Sequence, residues 1–331
     1  MSDPVAEIEA AGETLARART EIAKRIIGQQ TVVDLTLNAI LSGGHALLVG
    51  VPGLAKTRLV ETLGTVLGLG ASRIQFTPDL MPADILGSEV LEEGKDGARM
   101  FKFIRGPIFT QLLLADEINR ASPRTQSALL QAMQEKVVTV AGENRPLDKP
   151  FHVLATQNPI EQEGTYPLPE AQLDRFLLQI DIEYPTRDEE RDIVLATTGA
   201  VEAEASPVLT GEELIALQKL VRAMPVGEAV LEAVLTLVRA CRPGEPDAAP
   251  AATERLAFGP GPRAAQSIML AVRARALMEG RLAPSIDDVR ALAKPALTHR
   301  MALTFAARAE GASVDDVIDG ILAGLTLEAA A

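Results

Sequence analysis

Cysteine, histidine and long apolar runs are scarce in this chain. Cys241 is the single cysteine among 331 residues, which excludes an intramolecular disulfide and a cysteine-cluster metal site. His45, His152 and His299 are far apart and belong to no metal-ligand motif, so we expect structural roles for them. No uncharged apolar segment is long enough to span a bilayer, and the chain does not start with a basic region followed by an apolar stretch. These absences predict a soluble cytoplasmic protein without membrane insertion.

The excess of acidic side chains limits the classes of partner. Asp and Glu number 45 against 32 Lys and Arg, which gives a formal net charge of −13. Such a charge argues against a broad basic surface for nucleic acid or anionic lipid, although local basic loops can exist on an acidic protein. The length is too great for one hydrophobic core to be the default, so we expect two domains.

The first half of the chain alternates apolar, strand-like runs with helix-like segments. That alternation predicts a parallel sheet covered by helices on both faces, with ligands bound at the carboxyl ends of the strands. The predicted strands are 46–49, 73–76, 112–115, 153–156 and 176–180, and the predicted helices are 31–41, 56–67 and 122–134.

After Tyr184-Pro185 the pattern becomes helical throughout. Ala, Leu, Val and Arg recur with a helical period, and no run is convincing as a strand. A connector rich in Pro, Ala and Gly, residues 241–252, interrupts this half. We therefore expect an α/β domain over residues 1–184 and an α-helical domain over 185–331. The predicted helices of the second half are 187–197, 211–223, 227–240, 262–278, 285–292 and 297–310.

A glycine-bearing turn, 50–57 (GVPGLAKT), lies between the first apolar strand and a helical segment. Glycines allow backbone conformations in which successive N–H groups converge on one anion, and a helix N-terminus favours a phosphate. In such a loop Lys56 would reach the terminal phosphates and the Thr57 hydroxyl would bind Mg²⁺. Ala55 departs from the strict pattern, which has a glycine before the lysine.

Two adjacent carboxylates, Asp116 and Glu117, end an apolar strand about sixty residues after the phosphate loop. This placement suits a nucleotide hydrolase, in which Asp116 would hold the Mg²⁺ shell and Glu117 would orient or deprotonate the attacking water. Acidic residues that favour a helix dipole are the alternative interpretation. The phosphate loop upstream favours the catalytic one.

Three further polar residues are candidates for the same site. Asn158 follows the strand 153–156, where its amide could hydrogen-bond both the γ-phosphate and the water, although Asn-Pro is also an ordinary turn signal. Arg175 precedes the strand 176–180 and suits the charge of a phosphoryl transition state; a local pair with Asp174 is the alternative. Arg263 follows GPGP at a helix start, where an arginine is ordinarily only a solvated residue.

These motifs, in this order, resemble those of the AAA+ ATPases and among them the MoxR family. The family uses the form GxPGxAKT, which accounts for Ala55. The resemblance implies an AAA+ P-loop NTPase sheet core followed by an all-α lid domain. It covers about residues 20–185, with the helical half as the lid, and rests on 26–29, 50–57, 75–84, 113–120, 155–159 and 170–176.

The resemblance implies ATP and Mg²⁺ as cofactors and assigns a role to each candidate. Arg175 would be an arginine finger that acts on the neighbouring subunit's ATP. Arg263 would be the sensor 2 arginine, through which the lid reports the nucleotide state, although GPGPRA departs from the more usual GASPRA-like form. By resemblance the nucleotide site comprises Ile27, Gly28, Gly50, Pro52, Gly53, Leu54, Ala55, Lys56, Thr57 and Arg58, the metal ligands are Thr57 and Asp116, and the catalytic residues are Glu117, Asn158, Arg175 and Arg263.

The family also implies an assembly and a type of work. Residues 76–103 would hold the insert in helix 2 and 136–149 the hairpin before sensor 1, both similar to pore-facing loops of ring assemblies. The expected activity is ATP hydrolysis by a homo-oligomeric ring, a hexamer, that remodels a partner protein or inserts a metal cofactor, with a von Willebrand A domain protein as partner. A magnesium-chelatase-type motor, a nucleic-acid-directed motor and a nucleotide-gated scaffold are the alternatives.

Overall fold

The computed structural model describes residues 4–93, 99–160, 164–199 and 203–325. The helices are α1 (Pro4–Ala23), α2 (Gln30–Leu41), α3 (Lys56–Val66), α4 (Pro82–Leu86), α5 (Pro123–Glu135), α6 (Glu170–Leu173), α7 (Arg187–Thr197), α8 (Gly211–Ala223), α9 (Glu228–Ala240), α10 (Pro250–Arg255), α11 (Pro262–Met278), α12 (Ile286–Leu297), α13 (Phe305–Ala309) and α14 (Val314–Gly324). The strands are β1 (Ala46–Gly50), β2 (Ala71–Gln75), β3 (Gly87–Glu93), β4 (Arg99–Arg105), β5 (Leu112–Asp116), β6 (Val137–Val140), β7 (Glu143–Pro146), β8 (His152–Gln157), β9 (Leu178–Ile182), β10 (Leu256–Phe258) and β11 (Ala302–Leu303).

A five-stranded parallel sheet forms the centre of the molecule, in the order β2-β5-β8-β1-β9. Successive residues of a strand point to opposite faces, and here both faces are buried. On β5, Leu112 and Leu114 belong to one apolar core and Leu113 to the other. This arrangement confirms the predicted α/β fold, and it brings the carboxyl ends of all five strands to one edge.

The lid helices dock on one face of this sheet. Helix α12 contacts β9, and α11 contacts both α1 and α2. The buried side chains of α9, α11 and α12 are continuous with the core formed by α1, α2, α3 and one face of the sheet. The helical half therefore shares a hydrophobic core with the α/β half.

Most predicted elements are confirmed to within one or two residues, including all five strands of the sheet and helices α2, α3, α5, α7, α8, α9 and α11. The helix predicted over 285–292 ends too early, because α12 continues to Leu297. Two other predictions for the second half are wrong. It contains strands, because β10 pairs antiparallel with β11. Residues 297–310 are not one helix: α12 ends at Leu297, and a 3₁₀ turn, β11 and α13 follow. The pairing partner of β11 is distant in the sequence, so an Ala- and Leu-rich segment with a helical period gives no local sign of it.

Two antiparallel hairpins project from the α/β half. The β3–β4 hairpin follows α4 within the expected 76–103 insert and continues to Arg105, and the β6–β7 hairpin lies within 136–149. The Arg145 guanidinium of β7 stacks 4.0 Å from the Phe103 ring centroid of β4, so the two hairpins are in contact. Among the described residues, no helix combines the length and the apolar character that crossing a membrane requires.

Buried histidines connect the sheet to the helices around it. Val153 donates its backbone N–H to Nδ1 of His45 at 2.9 Å, and Nε2 of His152 lies 2.9 Å from the side-chain amide nitrogen of Gln218. Burial lowers the pKa of His45 to about 3, with a further contribution from repulsion by His152. Burial also lowers the pKa of His152 to about 4. Both imidazoles are neutral in the folded protein at physiological pH.

The lowered pKa values predict a loss of stability in mild acid. A depressed folded-state pKa contributes stability above the unfolded value near 6.5, and that stability is lost as the pH falls towards the folded value. We expect the free energy of unfolding to drop by about 2 kcal/mol for each histidine between pH 7.5 and pH 5. Urea unfolding followed by circular dichroism measures it. The free energy of unfolding of His152→Gln should fall less steeply between pH 7.5 and pH 5 than that of the wild type. Equal slopes of unfolding free energy against pH would contradict the role of His152.

Candidate active site

The phosphate loop joins β1 to α3 through positions with special backbone requirements. A Cβ at Gly50 would lie 2.7 Å from the carbonyl oxygen of Ile182 on β9, so only glycine fits beside this strand. Gly53 has φ +86°, and Ala55, at the N-cap of α3, has φ +54°. An alanine in the left-handed region costs about 1–2 kcal/mol, so this loop is held by its surroundings in a conformation that favours glycine. No side chain caps α3, which leaves its first backbone N–H groups for an anion.

The loop lines a cavity of about 430 Å³ together with residues from the ends of three neighbouring strands. Lys56 donates a hydrogen bond from Nζ to the carbonyl of Gly50, and burial lowers the pKa of Lys56 against the opposing effect of Asp116 and Glu117. The lining brings together most of the predicted residues: Pro52, Gly53, Ala55, Lys56, Thr57, Arg58, Asp116, Glu117 and Asn158, with Arg73 and Gln75 in addition. The predicted Gly50 and Leu54 do not line this cavity; Leu54 packs against the core instead.

A threonine on β8 binds Asp116 through its carboxylate and Glu117 through its backbone. Thr156 donates from Oγ1 to Oδ1 of Asp116 at 2.6 Å and accepts the backbone N–H of Glu117 at 2.8 Å. Glu117 has φ +55°, an unusual conformation that directs it away from the strand. Its Oε2 accepts hydrogen bonds from Gln75 Nε2 at 2.7 Å and from Arg120 Nη1 at 3.0 Å. Asn158 is 5% exposed, and its Oδ1 accepts the backbone N–H of Ile160.

This donor set fits a magnesium nucleotide. Mg²⁺ prefers hard oxygen ligands and takes one or two carboxylates together with substrate phosphates. Thr57 and Asp116 offer such oxygens in the cavity that Lys56 also lines. Uncapped N–H groups at the start of α3 suit phosphate oxygens.

The predicted arginines lie in a second cavity, of about 270 Å³. Arg175 and Arg263 line it with Lys136 and with Gly43 and Gly44, which immediately precede β1. This cavity is therefore at the amino ends of the strands, whereas the phosphate loop is at the carboxyl ends. The structure does not bring Arg175 or Arg263 to the phosphate loop of the same chain.

Comparisons with known proteins agree with this geometry. Residues 45–178 match the model of the ATPase family associated with various cellular activities (AAA), and residues 248–321 match the AAA lid domain. Chaperone MoxR1 of Mycobacterium tuberculosis is 43% identical over 95% of this chain and 82% of its own length. Protein MoxR of Methylorubrum extorquens is 32% identical over 88% of each chain. The crystal structure of a candidate ATPase from Cytophaga hutchinsonii covers 97% of both chains with a TM-score of 0.88 and 35% identity.

The chain belongs to the MoxR family of AAA+ ATPases. The expected P-loop sheet core and helical lid are thus both present. The remaining predicted nucleotide contacts, Ile27 and Gly28, do not line the phosphate cavity, and Gly28 lies next to helix α7. A Cβ at Gly28, where φ is +73°, would lie 2.7 Å from Cβ and Cγ of Glu189.

An arginine that sequence reasoning missed fixes the lid of this MoxR-family chain. Arg300 is 4% exposed and donates from Nε to Oδ1 of Asp174 at 2.8 Å and from Nη2 to the carbonyl of Phe176 at 2.7 Å. It also binds Ser267 Oγ on α11 at 3.0 Å and the carbonyl of Ala296 on α12. One side chain thus joins the segment before β9 to two lid helices. It also explains why the lid holds Arg263 beside Asp174, at 3.5 Å, and away from the phosphate loop.

The local sequence pattern around Arg300 concealed its role. His299-Arg300 falls within the segment 297–310 that we predicted as a continuous helix, where an arginine would be a solvated residue. The 3₁₀ turn at Thr298–Arg300 directs it inward instead. Arg73 and Gln75 were missed for a different reason: β2 is an edge strand, and only its pairing with β5 places their side chains near the carboxylates.

Removal of the Arg300 guanidinium should destabilise the whole chain. Arg300→Met removes the nearer cation of Asp174 and the donor to several buried carbonyls, and loss of one partner of a largely buried ion pair costs about 3 kcal/mol. The free energy of unfolding in urea measures this cost. The matched control is Arg239→Met, because Arg239 forms an exposed pair with Asp247 at 2.6 Å. Its free energy of unfolding should fall by less than about 1 kcal/mol. Equal losses in the two variants would contradict the role of Arg300.

Proposed function

We propose that this chain is a Mg²⁺-dependent ATPase that hydrolyses ATP between adjacent subunits of a homo-oligomeric ring. The observation that carries the proposal is the separation of two sets of residues on opposite edges of the sheet. Lys56, Thr57, Asp116 and Glu117 line one cavity, and Arg175 lines the other with Arg263. A single chain has the phosphate loop and the water-activating carboxylate but lacks an arginine from the second cavity at its own phosphates.

The residues of the first cavity divide the work of phosphoryl transfer. Lys56 and the N-terminal amides of α3 bind the phosphates. Thr57 and Asp116 would hold Mg²⁺, whose charge would offset that of the phosphate oxygens. Glu117 accepts a proton from the attacking water. At the same time the water oxygen bonds to the γ-phosphorus, and the bond between that phosphorus and the ADP oxygen breaks. Asn158 donates its amide to the water or the γ-phosphate.

The residues of the second cavity would serve the neighbouring subunit. Arg175, Arg263 and Lys136 are cationic side chains at one cavity, and arginine suits the charge that spreads over transferring phosphate oxygens. We therefore place both predicted arginines on the neighbour's nucleotide. In this arrangement Arg263 senses the nucleotide state of the neighbouring subunit's site and not that of its own subunit's site. This differs from the role that the resemblance implied for it.

The work that hydrolysis drives is chaperone-like remodelling, or metal-cofactor insertion, of a partner protein. The name of the mycobacterial relative, Chaperone MoxR1, supports a chaperone role. The β3–β4 hairpin supports a protein partner, since Leu91, Met100 and Phe101 are more than half exposed on it. The proposed ring is a hexamer, and the proposed partner has a von Willebrand A domain. The net negative charge of the chain argues against a nucleic-acid partner.

Glu117→Gln should separate ATP binding from hydrolysis. The amide keeps the shape of the carboxylate but accepts no proton, so we expect phosphate release to fall at least about a hundredfold, as for loss of a general base. The dissociation constant for ATP should stay within a few-fold of the wild type. Phosphate release and calorimetric binding measure the two effects. Glu232→Gln, on the exposed surface of α9, is the control, and normal turnover by Glu117→Gln would contradict the proposal.

Mixing two inactive variants tests catalysis between subunits. Lys56→Ala removes the phosphate contact and Arg175→Ala removes the finger, so each variant alone should release little phosphate. A mixed ring contains interfaces in which an intact Lys56 faces an intact Arg175, and we expect it to recover part of the wild-type rate. The control replaces the Lys56→Ala partner with the Lys56→Ala, Arg175→Ala double variant, which offers no intact finger. No recovery at any mixing ratio would contradict the arrangement.

A further inference from the structure

Arg73 is a basic residue of the phosphate cavity to which neither the motifs nor the proposed mechanism gives a role. It lies in the middle of the edge strand β2 and pairs in register with Leu114 of β5. Its guanidinium donates to Oδ2 of Asp116 from Nε at 3.1 Å and from Nη2 at 2.7 Å. Nη2 also donates to Oε1 of Gln75 at 2.7 Å. Both contacts orient the guanidinium towards the carboxylate that would hold the metal.

Both oxygens of Asp116 already have partners in this arrangement. Oδ1 accepts from Thr156, and Oδ2 accepts from Arg73. Oδ2 receives both guanidinium hydrogen bonds, which fill its lone pairs, whereas Oδ1 accepts one hydrogen bond and keeps a lone pair. A metal at Asp116 therefore either takes Oδ2 from Arg73 or binds Oδ1 beside a guanidinium charge, and both cases favour withdrawal of a partner. Thr156 is fully buried and also binds the backbone N–H of Glu117, whereas the Arg73 side chain is 49% exposed on an edge strand. Arg73 is the partner that can move into solvent.

The charge of Arg73 makes it a competitor of the metal. A guanidinium and Mg²⁺ both bind carboxylate oxygens, and an oxygen that accepts two guanidinium N–H groups has no lone pair left for a cation. A cation on the other oxygen would be repelled by the guanidinium charge nearby. Gln75 holds the guanidinium through Oε1 and contacts Glu117 at 2.7 Å through Nε2. Arg73 and Gln75 thus lie against the two carboxylates on the side of the edge strand.

We propose that Arg73 is a positioning residue that holds Asp116 in the absence of metal and that Mg²⁺ displaces when it binds there. The residue sets how strongly Mg²⁺ and nucleotide bind together, because part of the metal's binding energy is spent on breaking the contact between Arg73 and Asp116. The inference rests on the proposed function, since it concerns the same nucleotide site.

Calorimetric titration with a non-hydrolysable ATP analogue, AMPPNP, tests the displacement without any measurement of turnover. The dissociation constant is measured with Mg²⁺ and with EDTA, and the ratio of the EDTA value to the Mg²⁺ value reports how much the metal improves binding. Arg73→Gln should raise this ratio about two- to fivefold, the range expected when a partly exposed ion pair is removed. An unchanged or lower ratio would overturn the proposal.

Arg120→Gln is the matched control for a general effect of charge. Arg120 pairs with Glu117 at 3.0 Å, so its replacement removes the same charge beside the adjacent carboxylate and leaves Asp116 with Arg73. The ratio should rise more for Arg73→Gln than for Arg120→Gln, and equal changes would overturn the displacement. The two levels of hypothesis are distinguishable: AMPPNP binding that Lys56→Ala does not weaken contradicts the proposed function, whereas normal binding with an unchanged ratio contradicts only the role of Arg73.

Discussion

The parallel register of β1 between β8 and β9 is the constraint on which the rest of this structure depends. Parallel pairing aligns all carboxyl ends at one edge and all amino ends at the other. The phosphate loop follows β1 at the first edge, and the segment with Arg175 precedes β9 at the second. The length of the strands therefore separates the nucleotide site from the arginines. This separation is the reason for the proposal that hydrolysis takes place between subunits.

The hydrogen bonds to Asp116 and Glu117 follow from the same sheet. Register places Gln75 opposite Asp116 and brings Thr156 of β8 beside both acidic residues. The edge strand β2 thereby contributes Arg73 to a site whose motifs lie on other strands. Strand β2 continues into α4 and the β3–β4 hairpin, and the next strand is β5, which ends in Asp116. The exposed hairpin therefore lies in the sequence between the two strands that contribute Arg73 and Asp116.

The position of the lid depends on one buried ion pair. Arg300 binds Asp174 and the backbone before β9 while it contacts α11 and α12. A buried guanidinium tolerates few other positions, because each alternative leaves polar groups without partners. The lid is thereby fixed on the α2 and β9 side of the core, and Arg263 is fixed with it beside Arg175. This placement keeps Arg263 away from the phosphate loop of its own chain.

Local sequence signals are enough to predict the strands of the sheet, most helices, the phosphate loop, and Asp116, Glu117 and Asn158 at strand ends. Apolar period and turn chemistry act over a few residues, so they can be interpreted without a partner. The folded chain alone reveals the β10–β11 pair, the inward turn of Arg300, the lid position of Arg263 and the contact of Arg73 with Asp116. Each of these joins residues more than forty positions apart. Such contacts depend on packing and on hydrogen-bond satisfaction in the folded chain, and a local sequence pattern contains no information about either.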